Sequence, residues 1–210
     1  MGKLAFSAIG TLGVGAAGTG GFFLLKELKT PKAKFKDRYS HALITDTDNL
    51  WDSKFSLLKA ANPEPKHPQL LQALRDSKES SKESGAKELM KRVCVAMYEE
   101  EIKVDYVKDF EKYCVKNNKD VSKIAWNDEA NSSSKWDSSL TTLKSHDYGN
   151  NGMLDKELND LKTKISSLSN YENTHREELK KWCEKVKEHV YWGPQSKEFK
   201  QQELYCKKNQ

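Results

Sequence analysis

Trp51, Phe55 and Leu58 stand four and three residues apart, and Trp136, Leu140 and Leu143 repeat that spacing farther along the chain. An i, i+4, i+7 rhythm puts three apolar side chains on one face of an α-helix. Each set opens on Trp-Asp-Ser and closes on Leu-Lys, as LWDSKFSLLK (Leu50 to Lys59) and KWDSSLTTLK (Lys135 to Lys144). Ser134 with Asp137 resembles a capping box with Asp in place of Glu, and Asp48 is positioned to cap the first copy. The longest amphipathic stripe is Leu154, Leu158, Leu161, Ile165 and Leu168. Leu179, Trp182, Val186 and Val190 predict a further helix, stopped by Gly193-Pro194. Breaks fall at NPEPKHP, DSKESSKESG, NDEANSSS and SHDYGNNG, and no run of alternating residues reads as a strand. The body is expected to be all-α.

More landmarks recur in the same order. KELMKRVC leads to Cys94 and EELKKWC to Cys183, and each half later reaches a Tyr-Cys pair, Tyr113-Cys114 and Tyr205-Cys206. Three ordered landmarks at similar spacing predict an internal duplication, with helical repeat 1 over 46–118 and helical repeat 2 over 131–210. Trp51, Phe55, Leu58, Trp136, Leu140 and Leu143 are then core anchors of the two repeats. Asp52 and Asp137 fall in a first helical turn, where negative charge suits the helix dipole.

The cysteines are placed symmetrically. Gly193-Pro194 lies midway between Cys183 and Cys206, and Val104-Asp105 lies midway between Cys94 and Cys114. Residues equidistant from the turn of an antiparallel helix hairpin lie side by side, so both pairs are disulfide candidates. The competing reading is four buried thiols in a reducing compartment.

Ahead of the body, Leu4 to Leu25 contains no charged residue. Twenty-two residues at helical rise reach about 33 Å, which matches a hydrocarbon core of roughly 30 Å. Residues 1–28 are therefore read as an N-terminal transmembrane anchor or signal segment, meeting lipid through residues 4–25, and residues 29–45 as a basic linker. GVGAAG, from Gly13 to Gly18, matches the dinucleotide-binding spacing, but the lysine-rich, Pro-broken run after it lacks the helix and second strand that site needs. Orientation is contested. Lysines after the span place the body in the cytoplasm by the positive-inside rule, whereas paired cysteines require an oxidising space. The more specific cysteine pattern favours an extracellular body on a single-pass anchor.

Charge changes the picture in one respect. The net +5 resides wholly in the first 38 residues, which carry seven Lys/Arg and two acids; the remainder is neutral and interspersed. That excludes an electrostatic footprint for nucleic acid. No metal, cofactor or catalytic signature is present in the sequence: C-x-x-C, H-E-x-x-H, Walker A and G-x-S-x-G are all missing, and the five histidines are scattered and expected at the surface. No cofactor, small-molecule substrate or enzymatic activity is expected.

A Gly-rich apolar start, a Lys/Pro flank, Tyr-Ser-His-Ala-Leu from Tyr39 to Leu43, a Trp-led helix and later Cys and Tyr-Cys landmarks occur together. In this combination the chain resembles the large paralogous families of uncharacterised proteins of haemotropic mycoplasmas. The resemblance implies a surface or secreted location and a role in host contact or antigenic variation, with a host or surface protein as partner. It carries over no catalytic residue. The alternatives are a cytoplasm-facing membrane scaffold and an enzyme of unrecognised class.

Overall fold

The computed structural model describes residues 32–208. The apolar stretch 4–25, and with it the anchor, lies outside the described residues. Among the described residues no helix is long and apolar enough to cross a membrane.

The described chain is helical, with four isolated bridges and no strand. Its first half holds α1 (Phe35–Arg38), α2 (Trp51–Lys59), α3 (Pro68–Asp76), α4 (Glu83–Tyr98) and α5 (Val107–Tyr113). Its second half holds α6 (Asn118–Val121), α7 (Asp137–Lys144), α8 (Tyr148–Asn151), α9 (Lys156–Ile165), α10 (Asn173–Lys187) and α11 (Lys197–Tyr205). Pro68 stands at the first position of α3, where a missing N–H costs nothing. Asp147 and Asp155 accept backbone N–H bonds that start α8 and α9. The apolar stripes face inward as their period requires: Trp51, Phe55 and Leu58 are buried, as are Trp136, Leu140 and Leu143.

Two apolar clusters form, one from residues 35–115 with Val190, the other from residues 136–206. In the first half α2 packs on α3, α4 and α5, while α4 packs on α3 and α5. In the second half α7 packs on α9, α10 and α11, while α10 packs on α9 and α11. The five pairings are the same once α2, α3, α4 and α5 are set against α7, α9, α10 and α11.

The likeness extends to single bonds. Asp52 pairs with Lys87, and Asp137 takes a two-pronged contact from Arg176 at 2.6 and 3.0 Å. Lys87 and Arg176 each stand seven residues before the first cysteine of their half. Phe35 N–H donates to Glu100 O and Ile102 N–H to Ala33 O, while Asn118 N–H donates to His189 O and Tyr191 N–H to Lys116 O. After the second cysteine, Lys116 N–H donates to Ala42 O and Lys208 N–H to Ala125 O, at 2.7 and 2.6 Å. Lys34 and Asn117 both begin a short helix whose third residue, Asp37 or Asp120, bonds back to the N-cap N–H.

Several sequence expectations change. Residues 33–44, read as a basic linker, are folded into the first core, where Phe35, Tyr39, Ala42 and Ile44 are buried. The second half likewise begins before residue 131, because α6 and the bridge Trp126↔Lys207 belong to it. The Trp182 helix ends at Lys187, short of Gly193-Pro194, because Val190 leaves it to bridge Asn117 and enter the first core. Asp48 caps the turn at Thr45 and pairs with Lys116 instead of starting α2. Ser133, rather than Ser134, accepts the N–H bond ahead of α7, and Asp137 is committed to Arg176.

Two polar positions in the second half have stability consequences. Gln202 is fully buried, and neither of its amide atoms has a hydrogen-bond partner. It stands four residues before Cys206, as the buried Phe110 stands before Cys114. Unpaired buried amides cost about 1–3 kcal/mol, so Gln202→Leu is expected to stabilise the fold by about 1 kcal/mol or more, read as a higher urea midpoint at unchanged slope. Glu129 accepts from Lys135 at 2.8 Å and pairs with Lys208 at 2.9 Å, and these two ammonium groups hold its carboxyl down at about 2. A carboxylate lowered in the folded state stabilises at pH above its ordinary value and loses that stabilisation as pH falls. The stabilisation from Glu129 is therefore present above pH 4.5 and lost toward about 2. Glu129→Gln should flatten the acid limb of a stability–pH curve in that window.

Candidate binding cleft

The two halves meet through a polar joint laid over a small apolar contact. Lys54 of α2 is buried, and its Nζ lies 2.6 Å from Asp120 Oδ2 on α6. Burial pulls the Lys54 ammonium below its usual range, with the Asp120 charge opposing. Asn118 Nδ2 donates to Val186 O at 2.9 Å and to Glu198 Oε1 at 3.1 Å, tying α6 to α10 and α11. Lys119 pairs with Glu188 at 2.7 Å.

The segment after α10 closes the joint. Val190 inserts into the first core, and Trp192 stacks on Tyr39 with ring centroids 5.1 Å apart. Gly193 adopts φ +98°, and a Cβ there would meet the His41 ring at 3.0 Å. Both the backbone and the space demand glycine at this close approach. Tyr39 donates its hydroxyl to Glu111 at 2.7 Å; burial, then that carboxylate, pushes the phenol well above its ordinary range.

An open cleft of about 640 Å³ results. Lys108, Glu111 and Lys112 of α5 form one wall, Glu188, His189 and Glu198 another, with Leu57, Asn117, Val190 and Trp192 between them. His189 Nδ1 donates to both Glu198 oxygens at 3.0 Å. Trp192 remains 44 % exposed, unusual for so large an apolar side chain beside a buried partner.

The cysteine pairs are found where the hairpin geometry puts them. Cys94 and Cys114 lie at disulfide distance with Cα atoms 5.0 Å apart, and Cys183 and Cys206 likewise at 5.6 Å. They staple α4 to the end of α5 and α10 to the end of α11, away from the cleft lining. The histidines depart from expectation. His67 and His146 are buried, the former lowered by burial and the latter held between the Tyr205 hydroxyl and Gly152 O. Among the described residues no three His, Cys, Asp or Glu side chains are grouped to hold a metal.

No protein-family profile, curated protein or solved structure matches the chain.

Trp51, Phe55, Leu58, Trp136, Leu140 and Leu143 lie in the cores and do not line the cleft. Trp192, Lys108, Lys112 and Asp120 escaped sequence reasoning. Lys54 carried a usable signal: it occupies the i+3 position of the Trp51, Phe55, Leu58 stripe, on the face that period assigns to the core.

Proposed function

We propose that the chain is a non-catalytic binding protein, anchored in the cell membrane through residues 4–25 and displaying a duplicated helical body outside the cell. The observation that carries the binding reading is the joint cleft. It gathers an exposed aromatic ring, Trp192, with Lys108, Lys112 and three carboxylates around an open recess of about 640 Å³. The shared pairings and bonds support an internal duplication. The extracellular placement rests on the two cysteine pairs and on the apolar amino-terminal stretch. A role in host contact or antigenic variation rests on the family resemblance alone.

A second reading has one feature in its favour. The lysine flank following residues 4–25 fits a cytoplasm-facing scaffold held against anionic lipid. Three of those lysines, however, are engaged within the body, Lys34 and Lys36 by Glu99 and Lys32 by Glu101.

Proteolysis of intact cells separates the two. The body is expected to be cleaved before lysis, with its four cysteines unreactive to thiol blockers until reductant is added. A body protected until lysis, with four reactive thiols, would overturn the extracellular reading in favour of the scaffold.

A further inference from the structure

We propose that the joint cleft binds an acidic sugar: a polyhydroxylated ring seated on Trp192, with its carboxylate or sulfate between Lys108 and Lys112. This deepens the binding reading above and rests on it.

Size is the first consideration. About 640 Å³ falls within the roughly 300–1,000 Å³ of small-ligand pockets and suits one or two sugar rings. A folded partner needs a far larger contact patch than such a recess supplies.

Charge is the second. Every carboxylate lining the cleft already has a donor: Glu111 has Tyr39, Glu188 has Lys119 and Asn117, and Glu198 has His189 and Asn118. The lysines are different. Lys108 makes no ion pair or hydrogen bond among the described residues, and Lys112 only lies over the Tyr113 ring at 5.3 Å. They stand four apart on α5, hence on one face, and both are exposed. The cleft therefore has two cations available for an anion, and of its three carboxylates only Glu111 lacks a cationic or imidazole partner.

Hydroxyl chemistry is the third. A carboxylate offers about four lone-pair sites, so Glu111, Glu188 and Glu198 retain acceptors after their protein donors are counted. Those donors also fix their orientation. Asn117 adds an amide, and Trp192 supplies an aromatic face held by Tyr39 for the C–H side of a ring. Preordered acceptors around one exposed aromatic ring match a ligand with several hydroxyls on each ring better than an acidic peptide, which offers one backbone N–H per residue.

Calorimetric titration of the full-length protein in detergent tests this, with sialyllactose, a sulfated heparin disaccharide, uncharged lactose and a Glu/Phe-rich peptide as probes. One of the acidic sugars should saturate a single site, with lactose at least about tenfold weaker. Trp192→Ala and, separately, the exposed charge reversal Lys108→Glu should each weaken binding about tenfold or more, with the Lys108→Glu unfolding midpoint unchanged. Saturation by neither acidic sugar, saturation by the peptide instead, or binding indifferent to both substitutions overturns the assignment. If proteolysis finds the body outside the cell while no sugar binds, the ligand class alone fails. A body protected until lysis overturns the display reading, whatever the titration gives.

Discussion

Asp120→Ala is expected to destabilise the protein by about 3–5 kcal/mol, because it strands a buried ammonium. Lys54 is 1 % exposed and Asp120 is its ion-pair partner. Asp120 also caps α6 by accepting the Asn117 N–H at 2.9 Å, so the substitution removes a cap as well as a counter-charge. A double change of Lys54→Met with Asp120→Ala should recover most of the loss, since no charge then remains to bury. The pH dependence has a definite sign. Lys54 is already lowered from 10.5 in the folded protein, so the unfolded chain binds more protons between that lowered value and 10.5. Its contribution to stability therefore rises with pH in that window. Without Asp120 the ammonium is lowered further, and the rise should begin nearer neutrality. Denaturant unfolding of the three proteins across neutral to alkaline pH measures both effects. A single substitution costing no more than an exposed pair would show that the joint is wet.

Replacing Cys183 and Cys206 together by Ala should cost about 3 kcal/mol, because a cross-link at a sequence separation of 23 restricts the unfolded chain by that order. Cys94 with Cys114, at a separation of 20, should behave alike. Each loss should be reproduced by adding reductant to the native protein, and the doubly substituted protein should be indifferent to reductant at that pair. Equal stability with and without the cysteines would mean that packing alone fixes the hairpins.

Periodicity carried much of the architecture. The Trp51 and Trp136 stripes, the Leu154–Leu168 stripe and the hairpin symmetry of the cysteines each follow from a 3.6-residue repeat or from distance to a turn, both local quantities. What was not legible depends on how distant segments meet. Val190 continues the α10 stripe in sequence, yet it leaves the helix because the second half must grip residues 116–118. Phe35, Tyr39 and Ala42 share the i, i+4, i+7 spacing of the Trp51 stripe, but the lysines around them and Pro31 before them gave the stretch the look of a linker. These apolar side chains are buried by the bridges Lys34↔Glu101 and Leu43↔Val115, which join residues far apart in the chain. The cleft is a product of the joint, so no local pattern announces it.

Lys116 donates its N–H to Ala42 in the first half and accepts the Tyr191 N–H from the second through its carbonyl. One peptide segment is thus the last piece of one unit and the first piece of the next. No cut can release either half intact: severing before Lys116 unzips the closing bridge of the first, and severing after it removes the rung that the second grips. The two cores share a common seam, and melting of either should pull the other with it.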